Sequence, residues 1–368
     1  MTTLEKTLRW IVIGGIFALP FVPLIVADGV HFIYNLFFPY ITGKNFTFRF
    51  IVEIITGAWL ALAFIDAKYR PRRSWVFAAL TAFVLIILIA DLQGVNPFKS
   101  IWSNYERMDG WITLIHLLAY VFVAASMMTT EKLWRWLFWI SLGVSVYLSI
   151  DGFLQVAGIA ALGEGGASGL AARIDATFGN PIYLAAYMLF HIFIAAMLWS
   201  QQWLERRPGE RLPISLAYGA VIVLDTLALF FTGTRGTIIG LALGAFVAAA
   251  LVLFQASQSR TAWRIAVGTV VALVIAVGGF WLIRDAAWVQ KIGFLQRLAT
   301  ISTSDNTVKA RFLNWSIAWK GIEERPFLGW GQENYAIVFD KYYDPRMFAQ
   351  EPWFDRVHNI IFDWLVAG

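Results

Sequence analysis

Residues 75–91 read WVFAALTAFVLIILIAD, an apolar run broken by a single threonine and closed by its first charge at Asp91. A helix of this kind can cross the hydrocarbon core of a bilayer, which takes about 20 apolar residues at a rise of about 1.5 Å each. Runs of the same character lie at about 9–27, 50–66, 111–128, 134–157, 181–199, 214–231, 236–254 and 265–283, and another begins near residue 358. The composition agrees, with 59% hydrophobic residues, 14% charged residues and a mean hydropathy of +0.65 over 368 residues. A soluble domain carries nearer a quarter charged residues, so the fold expected is an all-α polytopic membrane protein of about ten transmembrane helices.

The expected organisation is a transmembrane bundle of about nine helices over 1–283 and one large outward-facing helical loop over 284–357. The stretch 358–368 is read as the start of a further membrane helix, and the chain as part of a longer protein. The first apolar segment is read as a retained signal-anchor.

Orientation follows from the distribution of Lys and Arg. Alternate loops hold thirteen, among them Lys68, Arg70, Arg72 and Arg73, whereas the opposite short loops hold six: Lys44, Arg49, Lys99, Arg107, Arg173 and Arg235. The positive-inside rule places the first set in the cytoplasm, with the amino terminus inside and the 284–357 loop outside.

Three outward stretches are longer than simple turns. Residues 28–49 mix aromatics with Pro39 and Gly43 and suggest an interfacial helix, 92–110 contain Asn96-Pro97, and 163–169 form a glycine-rich loop without phosphate-binding spacing. Within the large loop, Val308, Phe312, Trp315, Trp319 and Ile322 recur at helical steps over 307–324. Leu328-Gly329-Trp330-Gly331 then reads as a tight turn. There are no cysteines, and His31, His116 and His191 lack metal-ligand spacing and read as structural. No metal and no cofactor are expected, nor is a nucleic-acid partner.

The residues that could carry chemistry are arginines and one histidine. Arg235 lies in Thr232-Gly233-Thr234-Arg235-Gly236, between two apolar helices. The turn fits a diphosphate cradle, because glycines allow close approach and the following helix offers its amino-terminal amides. It fits a snorkelling arginine equally well. Arg311 stands one turn before Trp315, a spacing that permits cation–π contact. A pair with Asp305 is the alternative. Arg173 precedes Gly179-Asn180-Pro181, a loop end that starts a helix, and Arg107 is a weaker candidate of the same kind. His358 opens the last apolar run and could act as a general base or simply cap a helix. Asp151 and Asp225 sit inside apolar spans, where an acid is expensive.

Taken in order, these motifs resemble the O-antigen ligase/polymerase superfamily. Arg173 to Asn180-Pro181 resembles its Arg and Gly-Asn-Pro entry to a helix, and Thr234-Arg235-Gly236 resembles its Ser-Arg-Gly turn with Thr in place of Ser. Arg311 with Trp315, Leu328-Gly329-Trp330-Gly331 and His358-Asn359 resemble the three motifs that follow. Residues before 170 match in hydropathy more than in motif. The resemblance implies a GT-C-like bundle that works on the outer face of a bacterial cytoplasmic membrane. It implies glycan transfer from undecaprenyl diphosphate to an acceptor hydroxyl without a metal ion. Arg235 and Arg311 would then bind the diphosphate and His358 would deprotonate the acceptor, with Arg173, Arg107, Trp315 and Asn180 binding substrate. Acceptors of this superfamily include lipid A-core, a growing polysaccharide or a protein. A lipid-linked glycan transporter or flippase is the alternative from another class, but the chain has no internal repeat and no matched pair of broken spans.

Overall fold

Each apolar run forms a helix in the computed structural model, which describes residues 1–29, 35–159, 169, 173–255, 260–300, 306–348 and 352–368. In chain order the helices are α1 (Thr3–Ala18, extended by a 3-10 turn to Leu24), α2 (Thr42–Ile65), α3 (Trp75–Gln93), α4 (Pro97–Trp102) and α5 (Trp111–Met127). Next come α6 (Glu131–Val156), α7 (Pro181–Glu205), α8 (Arg211–Phe231), α9 (Arg235–Gln255) and α10 (Arg260–Ile283). The last are α11 (Ala287–Lys291), α12 (Gly293–Ala299), α13 (Asn306–Glu324), α14 (Tyr335–Lys341) and α15 (Ile360–Ala367).

Eight of them, α1 to α3 and α6 to α10, are long and apolar enough to cross a membrane. The span expected at 111–128 is the shorter, 17-residue α5, and the run expected from 358 is the 8-residue α15. Among the described residues the β structure is a single bridge between Asp28 and Asn35. The protein is therefore an all-α, multi-pass membrane protein. Its outer surface says the same, since in α10 only 6% of the most apolar window is buried, an arrangement that suits a lipid solvent.

One expectation is corrected. The interfacial helix sought within 28–49 is not a separate element among the described residues, because 35–41 form turns and α2 already starts at Thr42. His31 and most of the glycine-rich loop lie outside the described residues. The chain also divides into two compact units, Met1–Trp134 with Ser302–Gly368, and Arg135–Ile301. Helices α11 and α12 belong to the second unit, and α13 and α14 to the first.

In the first unit α1 and α2 approach closely at Gly15, where a Cβ would stand 2.2 Å from Ile55 Cγ2. A second core gathers Ile317 and Ala318 of α13, Val338 and Phe339 of α14, Val357, and Val366 of α15. The buried face of α13 is not the stripe read from sequence. Ala310, Asn314, Ile317 and Ala318 are buried, whereas Phe312 is 60% and Trp319 49% exposed. Small residues let α13 sit close to its neighbours, and the large aromatics flank that contact.

The turn after α13 explains its glycines. Gly329 has φ +54, and a Cβ there would lie 2.3 Å from the backbone oxygen of Val366. That close approach lets the Trp330 and Gly331 amides donate to Val366 O and Ala367 O at 2.7 and 3.0 Å. Gly329→Ala is expected to destabilise the first unit by about 3 kcal/mol or more, because strained φ and a backbone clash add together. Thermal unfolding in detergent measures this, and an unchanged melting temperature would contradict it.

In the second unit Leu142 packs with Ala195 and Leu198. Asp225 of α8 is fully buried, and its two carboxyl oxygens each accept from a serine of α6, Ser145 and Ser149, both at 2.8 Å. An acid within an apolar span thus joins two helices through interhelical hydrogen bonds.

Candidate functional site

In the first unit, the residues around His358 are fixed from several directions. Asn314 is fully buried on the packed face of α13 and gives both amide hydrogens to the chain just before the histidine, Arg356 O at 3.1 Å and Val357 O at 3.0 Å. Its own oxygens accept from the Tyr335 hydroxyl, the backbone oxygen at 3.0 Å and the side-chain oxygen in a shorter contact. Burial, with Asp363 nearby, holds the Tyr335 phenol above its ordinary pKa, so it remains a neutral donor. The Val357 amide donates to Asp363 Oδ1 at 2.8 Å, and the Val357 side chain is fully buried.

Ion pairs complete the support. Arg356 binds Asp109 Oδ2 at 2.7 Å and also Glu333, while Arg107 binds Asp355 at 2.5 Å. Burial opposes the charge on Arg356, but Glu333, Asp109, Asp363 and Asp355 outweigh it and raise the guanidinium above its usual value. The loop that carries Arg107 and Asp109 is itself tied to α2. Asn45 Nδ2 donates to Arg107 O at 3.1 Å, and the buried Arg49 donates to Met108 O at 2.7 Å and Thr113 Oγ1 at 2.8 Å. A cavity of about 180 Å³ lies beside these groups, lined by Asp109, Glu333, Asp355, Arg356, Asp363 and Trp364 among others.

His358 stands exposed on this support with φ +59, its ring edge-on to Phe354 at 5.3 Å. It does not cap the helix. Asn359 does, its side-chain oxygen accepting from Ile361 N at 3.0 Å and Phe362 N at 3.4 Å. Histidine is one of the side chains that tolerates left-handed backbone, and here that conformation turns the imidazole outward from a held segment. Asn314→Leu would leave the Arg356 and Val357 carbonyls without their side-chain donor, which is expected to cost about 1–3 kcal/mol. An unchanged melting temperature in detergent would mean that these bonds do not hold the segment.

Arg311 is exposed on α13, and among the described residues no carboxylate pairs with it; Asp305 lies outside them. The Arg311–Trp315 cation–π contact allowed by the spacing is not formed. The Trp315 indole packs edge-on against Phe312 at 5.2 Å and Phe362 of α15 at 6.1 Å, and its buried N–H has no hydrogen-bond partner.

In the second unit, Arg173 and Arg235 meet at one turn. Gly233 has φ +62, and Thr232, fully buried, donates to Leu229 O at 2.6 Å, so α8 ends and α9 starts within three residues. Arg173 Nε donates to Thr232 O at 2.8 Å, and Arg235 donates to Thr300 Oγ1 at 2.9 Å. A Cβ at Gly233 would stand 3.1 Å from Arg297 Cδ and 3.5 Å from Arg173 Nε. Arg297 is thus a third arginine at this turn, and sequence reading missed it because it lies on a polar helix face with no motif around it. Burial, and then the like charge of Arg297, press Arg173 below its ordinary pKa against the pull of Asp175. Such a cluster is stabilised by an anion. Gln155 fixes the loop below, accepting from the Asp175 and Ala176 amides at 3.2 and 3.0 Å. Asn180 uses its side-chain oxygen to cap α7 at Ile182 N, 2.8 Å away.

Residues 220–368 match the family model described as O-Antigen ligase. The match contains Arg235, Arg311, Trp315 and His358, and it starts after Arg107, Arg173 and Asn180. Over that stretch the chain is similar to the O-antigen ligase family. No curated protein and no solved structure gives a significant match.

Proposed function

We propose that this chain, whose residues 220–368 carry the O-antigen ligase match, transfers a glycan from undecaprenyl diphosphate to an acceptor hydroxyl at the outer face of a bacterial cytoplasmic membrane. His358 is the general base that takes the acceptor proton as the hydroxyl oxygen attacks the anomeric carbon. The bond to the diphosphate oxygen breaks, and the leaving group departs as an anion. Arg235 and Arg311 neutralise that anion, the role in which fixed guanidinium groups contribute most. Arg173 and Arg107 act with them, Trp315 and Asn180 shape the substrate sites, and the reaction needs no metal ion. The amino terminus is cytoplasmic, as the arginine-rich loops require.

The observation that carries this reading is the state of His358, an exposed imidazole inside the matched region on a segment held by Asn314, Asp363 and the Arg356 ion pairs. A base that must meet a substrate needs both access and a fixed position. The test is reconstitution of the full protein in vesicles with undecaprenyl-diphosphate glycan, with lipid A-core, polysaccharide and peptide acceptors offered in turn. Release of undecaprenyl diphosphate in step with glycosylation of one acceptor is expected, and that acceptor names the subclass. Movement of the donor across the bilayer with no transfer to any acceptor would replace this reading with a flippase.

A further inference from the structure

At the opposite end of α3 from Asp91, the first unit holds two adjoining cavities. The first, about 840 Å³, is an apolar groove of α3 and α5 with Phe77, Thr81, Leu85 and Phe122 in its walls and Arg72 and Arg73 at its mouth. Phe77 and Phe122 pack with ring centroids 5.0 Å apart, and Thr81 returns its hydroxyl to Phe77 O at 2.8 Å, so the groove presents hydrocarbon. The second, about 640 Å³, shares Pro71 and Arg72 with the first and is lined by Lys68, Arg70, Ser126 and Thr129.

The two cavities differ in chemistry in the way that the two ends of a lipid do. Lys68 is held by Asp66 at 2.6 Å and Glu5 at 3.4 Å, and Arg70 bonds Ala63 O at 3.0 Å. Among the described residues, no acid pairs with Arg72 or Arg73. Ser126 is 7% exposed, and its hydroxyl has no hydrogen-bond partner, which is unusual for a helical serine and leaves a donor unused at the polar cavity. Trp75, 91% exposed beside the arginines, is the side chain expected at a lipid headgroup level. The 19 residues of α3 rise about 28 Å, so this end lies a hydrocarbon thickness from Asp91, whose carboxylate receives the Gln332 amide.

We infer that these cavities form a binding site for one anionic glycerophospholipid of the surrounding leaflet. Its phosphate lies between Arg72, Arg73 and the Ser126 hydroxyl, and an acyl chain fills the Phe77–Phe122 groove. Charge complementarity selects the lipid, since a basic pocket between membrane helices favours an anionic headgroup over a zwitterionic one. The site is independent of the transfer chemistry.

Native mass spectrometry of the full protein, stripped of lipid and offered phosphatidylglycerol or phosphatidylcholine with the same chains, tests the inference. Preferential retention of phosphatidylglycerol is expected. The double variant Arg72→Ala/Arg73→Ala should weaken it about 30-fold, which is about 1 kcal/mol for each basic side chain. Ala82→Trp, which fills the groove without touching the charges, should weaken retention of both lipids, and circular dichroism checks that each variant is folded. Equal retention of the two lipids, or a preference that survives the double variant, overturns the inference. So does retention of undecaprenyl diphosphate in place of phosphatidylglycerol with the same dependence on Arg72 and Arg73.

Discussion

Replacing His358 with glycine is expected to lower glycan transfer by about 10²–10⁴-fold, the usual contribution of a positioned general base, while the protein remains folded. The two halves of this expectation have different causes. The rate falls because the imidazole is the group proposed to take the acceptor proton. The fold survives because φ at this position is +59, a left-handed conformation that costs an L-residue roughly 1–2 kcal/mol and glycine little. Edge-on packing of the imidazole against Phe354 contributes about 0.5–1.5 kcal/mol in the wild type, of the same order as the backbone term. The supports of the segment, Asn314 to Val357 O and Asp363 to Val357 N, involve no atom of His358. His358→Ala should be as inactive and slightly less stable than the glycine variant. A histidine that served only the fold would give transfer that follows stability in both variants.

Removing either proposed anion-binding arginine is expected to reduce transfer by about 10²–10³-fold, by analogy with the loss of one group that stabilises charge in a transition state. Arg235→Ala should leave α8 and α9 in place, since Gly233 and the Thr232 hydroxyl make the turn without the guanidinium. Arg311→Ala should be equally harmless to the fold, because Arg311 is exposed and the packed face of α13 is formed by Ala310, Asn314, Ile317 and Ala318. Lysine should restore only part of the rate at either position, because it cannot grip two phosphate oxygens with one planar fork. Turnover at saturating donor and donor affinity should be measured separately. A loss confined to affinity would make these residues docking groups and leave the departure of the diphosphate without its proposed partners.

The helices were legible because a membrane span announces itself through length and apolarity alone, and α3 needed nothing more than residues 75–91. The faces of the helices were harder to read. On α13 the aromatics at 312, 315 and 319 carried the apolar period, but the packed face runs through Ala310, Asn314 and Ala318, since small residues and one satisfied amide allow closer contact than indoles do. Asn314 could not be read as a support for His358, because its partners are backbone carbonyls 42 and 43 residues away. Arg49 carried a visible signal, a charge near the start of an apolar run, but not its target at Met108. The Arg235 turn was legible through its glycines, and Arg173 through its neighbouring Gly-Asn-Pro. Arg297 had neither aid. In each case the chemistry of the single residue was readable, and its long-range partner was not.

The most direct test of the account is a single-turnover measurement in vesicles, with donor bound to the wild-type protein and to His358→Gly and acceptor then added in excess. The account predicts that the wild type releases undecaprenyl diphosphate as the acceptor gains the glycan, while the glycine variant holds the donor with similar affinity and releases it at least a hundredfold more slowly. Release at the wild-type rate from a folded His358→Gly protein would contradict it.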